Sequence, residues 1–504
     1  MNNTKPKVVV VGAGITGLCT ALALAKDGLP VTILERDAPP PTGGADQAFF
    51  EWNRRGAAQF RHPHAFLAVM SNLLQESFPG LMEDFFAAGA RKVSFEDMLS
   101  PEMAKNYQPE PGDEKMWLLM CRRATMETVF RRYAENQDLV TIQSDTNVTD
   151  LLRHREDGQI IVDGVTVQKR GEEPVDLHCE VLIDAAGRNS KLKAWLREEG
   201  GQIVTEDDDA EIVYFTRHYK LLPGVEEPER GTGKDRSSGD LGYIKYGVFP
   251  GEGGHFAIIG CLHNDETVLR EAVKESDQFD LICRNIPGLQ PWIAPDKAEA
   301  TTSSFGFGDI HAVWHNYVNN DQPVALNYFA VGDSAVRTNP LYGRGCSTGI
   351  IHAHLLSKVL TQESDPLSRA LRFHQETEQE LRPIFKASLS EDRKAILKAK
   401  AEIAGESVEK TDSFKAWFRV AFGDALGMAA TKNINVLRGV MRTFNLLEKP
   451  GEFMKDWRIV LTTFRYMLAG RTTNANARKV SGPSRDEMLK IVEDYRATQQ
   501  DKAA

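Results

Sequence analysis

Three glycines near the N-terminus have the spacing of a backbone loop that binds a diphosphate. Gly12, Gly14 and Gly17 form the pattern G-x-G-x-x-G directly after the β-branched run 8–11. Gly12 suits a tight turn, Gly14 lets the backbone approach a pyrophosphate, and Gly17 allows a helix to pack closely on a strand. Glu35 lies 23 positions after Gly12, where a carboxylate can accept hydrogen bonds from ribose hydroxyls. The predicted nucleotide site comprises Gly12, Gly14, Ile15, Thr16, Gly17, Glu35 and Arg36.

A strand–helix–strand unit must position these residues. Residues 8–11 predict a buried parallel strand, residues 18–27 predict a helix, and residues 30–34 predict a second strand. The N-terminus of the helix then directs its free N–H groups at the diphosphate. The motif by itself is compatible with either FAD or NAD.

The composition is that of an ordinary globular protein. The chain has 504 residues, a formal net charge of −10, and 41% hydrophobic and 26% charged residues. This length predicts about three structural units, and the acidic balance argues against nucleic acid as a partner. Six scattered cysteines, with no Cys-x-x-Cys pair, give no zinc signature and favour a reducing compartment. We therefore expect a cytoplasmic protein.

Two later segments each place a polar residue at the end of a predicted strand. Residues 181–183 precede Asp184, and a second short strand ends at Gly332 and Asp333. A carboxylate at the carboxyl edge of a sheet can bond a polyol such as a ribityl chain. The loop 339–345 then leads into a long helix, whose N-terminus would stabilise negative charge.

In this order, the three motifs resemble the FAD-dependent aromatic hydroxylase and epoxidase superfamily, which has the p-hydroxybenzoate hydroxylase fold. The resemblance covers roughly residues 7–360. It implies an α/β fold, with a Rossmann-like FAD-binding domain, an inserted mixed β-sheet substrate domain and a helical C-terminal region. It also implies that Asp333 bonds the ribityl chain and that the amides around Gly343 and Gly345 face the flavin pyrimidine. The family's Asp-Gly segment is opened here to Asp-Ala-Ala-Gly, at Asp184 to Gly187.

Two more segments resemble a branch of this superfamily that contains polyether-type epoxidases and related oxidoreductases. Residues 54–66 resemble its Arg-x-Gly…Gln…Arg-His-x-His segment, and residues 121–134 resemble its Arg-x-x-Leu-Glu helix. The second resemblance implies that Arg123 lies near the flavin diphosphate, with Glu127 one helical turn later; alternatively, Arg122 and Arg123 cap a solvated helix face. The further cofactor residues implied are Arg55, Gln59, Arg123, Asp184, Gly187, Asp333, Pro340, Gly343, Gly345 and Cys346.

Neither His-x-His pair, at residues 62–64 or 352–354, predicts a metal site. Such residues diverge on a strand and on a helix, and no nearby cysteine or acidic cluster completes a ligand set. We expect no metal, and no catalytic residue can be named.

The resemblance implies the following domain boundaries: a FAD-binding domain at 1–75, 110–200 and 321–364, a substrate domain at 76–109 and 201–320, and a helical region at 365–504. Aromatic residues of the second domain are expected to wall a substrate cavity over the isoalloxazine ring, although an ordinary sheet core accounts for about half of them. These residues are Tyr214, Phe215, Tyr219, Tyr243, Tyr246, Phe249 and Phe256.

The helices after residue 365 interleave Phe, Trp, Leu and Met with Arg and Lys. Such helices can cover a cavity, form a dimer face or make a peripheral membrane contact. Plain packing on the catalytic unit is the favoured interpretation, because basic amphipathic helices commonly extend lysines around a core face.

The activity implied is that of a monooxygenase with non-covalent FAD. It would insert one oxygen atom from O2 into a lipophilic alkene or aromatic substrate through C4a-hydroperoxyflavin, with NAD(P)H as transient reductant or with a partner reductase. A flavin-dependent reductase of isoprenoid double bonds, a flavin-dependent halogenase and a non-enzymatic prenyl-binding escort are the alternatives. The halogenase pattern Trp-x-Trp-x-Ile-Pro is absent from the sequence.

Overall fold

A computed structural model describes residues 6–64, 66–231, 233–406 and 413–503. The strands are β1 (Val8–Val11), β2 (Val31–Leu34), β3 (Arg91–Val93), β4 (Leu118–Met120), β5 (Val140–Gln143), β6 (Thr146–Glu156), β7 (Gln159–Lys169), β8 (Val175–His178), β9 (Val181–Asp184), β10 (Val204–Asp209), β11 (Ile212–Leu221), β12 (Ser238–Asp240), β13 (Lys245–Pro250), β14 (His255–His263), β15 (Ala298–Ala300), β16 (Phe305–Phe307), β17 (His311–Asn316), β18 (Val318–Asn319), β19 (Gln322–Pro323), β20 (Tyr328–Ala330) and β21 (Val336–Arg337).

The α-helices are α1 (Ile15–Lys26), α2 (Ala45–Glu51), α3 (Ala68–Ser77), α4 (Pro79–Ala87), α5 (Pro101–Ala104), α6 (Arg123–Glu135), α7 (Leu192–Glu198), α8 (Thr267–Ala272), α9 (Ser276–Arg284), α10 (Gln290–Ile293), α11 (Arg344–Gln362), α12 (Pro366–Ala404), α13 (Phe414–Ala430), α14 (Ile434–Phe444), α15 (Trp457–Met467), α16 (Arg471–Arg478) and α17 (Arg485–Ala503). Short 3-10 turns at Gly332–Ser334 and Pro340–Tyr342 interrupt the path between β20 and α11.

The first domain contains a five-stranded parallel sheet in the order β20–β9–β1–β2–β5. Its central strand β1 is buried on both faces: Val8 and Val10 belong to the core that includes α1 and α11, whereas Val9 and Val11 belong to the core that includes β7. This burial explains the continuous β-branched run. The predicted Rossmann-like α/β architecture is confirmed.

The second domain contains a largely antiparallel sheet in the order β12–β13–β14–β11–β15, with β16 also paired to β11. One of its faces packs on α8, α9, α10 and α17, and the other is turned toward the first domain. The expected inserted sheet is therefore present between residues 212 and 307.

Most of the aromatic residues expected to wall a cavity lie on the wrong face of this sheet for that role. Phe215, Tyr219, Tyr243, Tyr246 and Phe256 pack in the core between the sheet and its helices. Because side chains alternate along a strand, only Tyr214 and Phe249 of the seven are on the face that looks toward the first domain.

Residues 76–109 do not form part of this sheet. Phe78, Leu81 and Phe85 pack in the same core as β1 and α1. Beyond them, β3 pairs with β4. The first part of the segment that we assigned to the substrate domain is thus attached to the first domain, where its apolar side chains share a core with α1 and α6, whereas Phe95 and Leu99 pack on α14.

The region after residue 365 is helical, as expected. The 39-residue α12 runs along both domains, α13 to α16 pack on one another, and α17 returns to α8 and α9. Arg438 of α14 anchors this region through Asp113, with Nη2 2.8 Å from the carboxylate. Among the described residues, no helix has the length and apolar composition needed to cross a bilayer.

Candidate flavin site

The fold requires glycine at two positions of the loop between β1 and α1, and at the third position it leaves room for a side chain. Gly12 has φ +105°, and a Cβ there would lie 2.6 Å from the carbonyl oxygen of Ala185. A Cβ on Gly17 would overlap the carbonyl oxygen of Gly12. A Cβ on Gly14, by contrast, would meet no atom within 4 Å. Gly14 is therefore dispensable for chain packing, and its open side is where the predicted diphosphate needs space.

The next two residues of the motif act mainly through packing and backbone. Ile15 begins α1 and its side chain is buried in the core. Thr16 fills the space left by two glycines of the C-terminal half of the domain, since a Cβ on Gly332 would approach Thr16 Oγ1 to 2.6 Å and one on Gly349 would overlap it. This close approach brings the Asp333 segment against the glycine loop.

Glu35 fastens the glycine loop to the end of β2. Its carboxylate accepts hydrogen bonds from the Ala13 N–H at 2.8 Å and the Asp37 N–H at 2.9 Å. Arg54 Nη1 lies 3.3 Å from the same carboxylate. A carboxylate has about four acceptor positions, so Glu35 retains capacity for a ribose hydroxyl. Its predicted contact with the ribose stays a prediction.

Arg54, the first arginine of the segment 54–66, was not among the predicted site residues. Its guanidinium lies 2.9 Å from Glu127 and 3.2 Å from Asp37, and it donates to the carbonyl of Ala13. Although burial opposes the charged form, the surrounding carboxylates raise the pKa of Arg54 further, so it stays cationic. The predicted neighbour Arg55 is exposed and contacts only the rim of the cluster, at 3.3 Å from Asp37.

Arg123 is buried on the side of α6 that faces the glycine loop. Its Nε lies 2.6 Å from Glu127, and its Nη1 is 3.2 Å from the sulfur of Cys346. Arg122 is also largely buried and pairs with Glu252 at 2.5 Å. The alternative that these arginines cap a solvated helix face is therefore wrong. Burial raises the pKa of the Cys346 thiol, so this thiol is a neutral partner for Arg123.

Asp184 is the internal support of the site. Its buried carboxylate accepts hydrogen bonds from Ser190 Oγ at 2.5 Å, Tyr328 OH at 2.8 Å, Ala186 N–H at 3.0 Å and Ser334 Oγ at 3.0 Å. These four donors occupy all of its acceptor positions. The resemblance implies that Asp184 is a cofactor residue. We interpret it instead as a group that positions the loops of the cofactor site and does not touch the cofactor.

Asp333 differs from Asp184 in having no hydrogen-bond partner among the described residues. Burial raises the pKa of its carboxyl, although Arg337, Arg123 and Arg188 act in the opposite direction. Gly332 supplies the turn before it, with φ +58°. Asp333 is half-buried, and a partly desolvated carboxylate without protein donors is stabilised by a ligand that supplies them. The hydroxyls of a ribityl chain are donors of the required kind.

A buried side chain of the loop before α11 ties this loop to two other elements. Asn339 Oδ1 accepts from the Leu341 N–H at 3.0 Å and from the hydroxyl of Tyr214, and its Nδ2 donates to Asp392 at 2.7 Å. Gly343 then takes a left-handed conformation, with φ +65°, and α11 begins at the next residue. A Cβ on Gly345 would meet no atom within 4 Å, so the N-terminus of α11 is open to a ligand.

The sheet also contacts the segment 54–66 through polar and aromatic residues. Thr216 Oγ1 lies 2.9 Å from His62 Nδ1, and His218 Nε2 donates to the Arg61 carbonyl at 2.6 Å. His62 also packs on Phe305 of β16, with ring centroids 4.9 Å apart. Burial lowers the pKa of His62 to about 3 and that of His218 to about 4, so both are neutral near pH 7.

The structure thus gathers most of the predicted site residues around the N-termini of α1 and α11. Arg36 and Arg55 are exposed and Gln59 is half-buried, so these three lie at the periphery. His352 uses both ring nitrogens within the fold, near the Gly332 N–H and the Thr377 hydroxyl.

The residues present fit FAD. Three features suit this group: open space at Gly14, a carboxylate without a protein donor at Asp333, and an open helix N-terminus at Gly345. Gly14, Gly187 and Arg123 would hold the diphosphate, Asp333 the ribityl chain, and the Gly343–Gly345 amides the pyrimidine.

We predict that Gly14→Val folds but binds no FAD. Its backbone is extended, at φ −75° and ψ 177°, which valine adopts freely, whereas the added methyl groups occupy the diphosphate space. Flavin absorbance of the purified variant and the thermal midpoint of the apoprotein test this. Gly423→Val, at another open glycine, should keep its flavin. Full occupancy in Gly14→Val would exclude this loop as the binding site.

We predict that Asp333→Asn stabilises the apoprotein near pH 7 but weakens FAD binding about 10- to 100-fold. Because the folded pKa of Asp333 is raised, the folded apoprotein binds more protons than the unfolded chain just above the ordinary carboxyl pKa, and its stability falls as pH rises there. The advantage of the variant should thus disappear toward about pH 4. Exposed Asp296→Asn is the control. Equal apoprotein melting profiles would contradict the prediction.

Comparison with known proteins agrees with this site. Residues 7–97 match the family model of the FAD dependent oxidoreductases. The chain is 25% identical over 380 residues to Protein Rv3254 of Mycobacterium tuberculosis (strain ATCC 25618 / H37Rv), a match that covers 71% of this chain and 74% of that protein.

Its fold is similar to that of pqsL, a probable FAD-dependent monooxygenase from Pseudomonas aeruginosa, with TM-score 0.55 and 17% identity over 79% of this chain and 100% of the other. It is also similar to that of OxyS anhydrotetracycline hydroxylase from Streptomyces rimosus, with TM-score 0.54 and 17% identity over 88% of this chain and 76% of the other. The N-terminal segment of the chain therefore matches the FAD dependent oxidoreductases, and the chain shares its fold with pqsL and OxyS.

Proposed function

We propose that the protein is a monooxygenase that inserts one oxygen atom from O2 into a lipophilic alkene or aromatic substrate. The observation that carries the proposal is the contact between the Tyr214 hydroxyl and Asn339, which fixes the inner face of the sheet directly against the loop before α11. A substrate held on that face would lie beside the loop that we assign to the flavin pyrimidine. The printed names of pqsL and OxyS, a probable monooxygenase and a hydroxylase, support the same class of reaction.

When bound and reduced, FAD supplies the activation of O2. The protein's part is to stabilise charge and to order the reactants. The free N–H groups at the start of α11 point at the site and favour negative charge there, as at any helix N-terminus. Arg123, Arg188 and Arg337 add positive charge around Asp333.

The inner face of the sheet is suited to excluding water. The hydrogen bonds of His62 and His218 are made within the protein, and their low pKa values keep them uncharged. Ile259 and Cys261 extend the face alongside Tyr214. The uncharged part of the lining around Thr216 and His218 limits solvent access to a reactive oxygen species and suits a lipophilic substrate.

The same lining favours a substrate that needs no deprotonation. No carboxylate is found among Tyr214, Thr216 and His218. Their cross-strand partners on β14 are Cys261, Ile259 and Ala257, which are not carboxylates either. Histidines with pKa values of about 3 and 4 are weak bases, so a phenol would find little help here. We therefore favour an alkene, or a ring that is already electron-rich.

The source of electrons is part of the proposal. The first domain holds one dinucleotide fingerprint, and FAD takes it. We infer that NAD(P)H binds transiently, or that a partner reductase delivers the electrons. A cytoplasmic location is likewise proposed, supported by the six cysteines, all of which are free thiols.

The direct test is isotopic. Holoenzyme is incubated with oxygen gas enriched in the heavy isotope, a panel of lipophilic alkenes and arenes, and NADH, NADPH or a flavin reductase. We expect a product that carries one labelled oxygen atom, formed only with reductant, and no product from Gly14→Val. Product labelled from water, or turnover that yields only hydrogen peroxide, would contradict the proposal.

The alternatives give different results in the same experiment. Loss of a substrate double bond under anaerobic conditions would identify a reductase of isoprenoid double bonds. A product that contains bromine or chlorine when bromide or chloride is supplied would identify a halogenase. Protein purified without flavin, and stable without it, would identify a prenyl-binding escort.

We predict that Tyr214→Phe keeps FAD but couples its reduction less well to oxygen transfer. The loop before α11 loses its hydrogen bond to the sheet, which should admit water and raise the ratio of hydrogen peroxide to product about two- to tenfold. Tyr243→Phe removes a similar hydroxyl, bonded to the Pro483 carbonyl on the opposite face, and should leave the ratio unchanged. An equal rise in both variants would refute a specific role for Tyr214.

A further inference from the structure

Helix α15 exposes an apolar stripe to solvent. Trp457, Leu461, Phe464 and Leu468 follow one another at intervals of four, three and four residues, which places them on one side of a helix. Trp457 is 68% exposed and Leu468 is 89% exposed. Isolated exposed hydrophobic residues are common, but a helical stripe of them marks an interaction surface.

A second stripe lies beside it on α13. Phe414 is 77% exposed, and it stacks on Trp417 with ring centroids 5.9 Å apart. Phe464 joins the two helices, since its ring is 6.2 Å from Phe418 and 5.7 Å from Phe422. We call this surface the aromatic face; it comprises Phe414, Trp417, Phe418, Phe422, Trp457, Leu461, Phe464 and Leu468.

The aromatic face is not the side by which these helices pack on the protein. Helix α13 buries the small residues Ala421, Ala425 and Ala429, and α15 buries Ile459 and Thr463. Internal packing in the described chain is satisfied by those residues. The aromatic face therefore has no structural task within the described part of the chain.

Charge identifies the partner. Lys415, Arg419, Arg458 and Arg465 are exposed on the same two helices, and none of them forms an ion pair among the described residues. The single acidic residue of α13 and α15, Asp424, lies near Arg471 and Arg478. The surface is thus locally positive in a chain whose net charge is −10.

We propose that the aromatic face binds the surface of an anionic lipid bilayer. Trp, Phe and Leu would enter the interface between headgroups and acyl chains, while the lysine and arginines contact the lipid phosphates. A second copy of the chain fits less well, because a symmetric dimer would bring the same positive charges together. The contact is peripheral, in agreement with the absence of a spanning helix among the described residues.

Flotation of the full-length holoenzyme with lipid vesicles tests this proposal independently of any activity. One set of vesicles contains phosphatidylcholine alone, and the other an equimolar mixture with phosphatidylglycerol. We expect binding to the mixed vesicles that is at least about tenfold stronger and that weakens as salt is raised. Equal binding to both sets, or none, would overturn the proposal.

Variants locate the contact. Leu468→Glu and Trp457→Glu should each weaken vesicle binding about tenfold or more, since each removes an inserted apolar side chain. The double variant Arg419→Glu with Arg465→Glu should weaken binding to the anionic vesicles only. The matched control is Leu397→Glu, on α12, where the leucine is 66% exposed but outside the aromatic face. A control that binds as weakly as Leu468→Glu would overturn the assignment.

Two further measurements test the bilayer contact even if one of these variants misfolds. Quenching of tryptophan fluorescence by brominated phosphatidylglycerol should be strong in the unmodified protein and reduced in Trp457→Phe, a conservative change. Sedimentation velocity without lipid should give the same mass for the unmodified protein and for Leu468→Glu. If the unmodified protein is a dimer and Leu468→Glu is a monomer, the partner of the aromatic face is a second copy of the chain and not a bilayer.

Discussion

The side chain of Asn339 joins the three parts of the molecule that form the site. It is 2% exposed, and its amide bonds the loop before α11, the Tyr214 hydroxyl of the sheet and the Asp392 carboxylate of α12. Because two of these partners belong to other elements, this one amide ties the loop to the sheet and to α12. The N-terminus of α11, the sheet above it and the long helix behind it therefore keep one arrangement. Loss of one of these partners would leave part of the buried amide without a hydrogen bond, which lowers the free energy of unfolding.

Two carboxylates, one buried and one half-buried, show how the site is kept open. Asp184 has four donors and acts as a fixed part of the fold, whereas Asp333 has none among the described residues. The unpartnered carboxylate makes the apoprotein less stable than it could be, and a ligand that donates to it regains that free energy on binding. Binding to the folded state alone stabilises a protein in proportion to the logarithm of ligand concentration. Occupancy of the site and stability of the fold are consequently linked through Asp333.

Features fixed by local rules could be predicted from the sequence, and features fixed by distant contacts could not. The glycine loop, the strand that ends at Asp184 and the turn at Asp333 depend on neighbouring residues, and the structure has them. Alternation along β11 predicts that Tyr214 and Phe215 face opposite ways, but it does not say which side faces the first domain. The same limit applies to Arg54 and Arg55, because only the positions of Glu127 and Asp37 show which guanidinium is buried.

The C-terminal helices show what amphipathic patterns alone leave open. We favoured plain packing because basic amphipathic helices commonly extend lysines around a core face, and α12 does pack inward, where Ser388 accepts from Arg344 at 2.6 Å. On α13, however, the buried side is marked by alanines at intervals of four residues, and the aromatic side chains point outward. Small residues permit the close approach of helices, whereas large ones near unpaired cations need a partner that is both apolar and anionic. The spacing of the alanines is therefore the better guide to packing, and it leaves the aromatic side for a partner outside the fold.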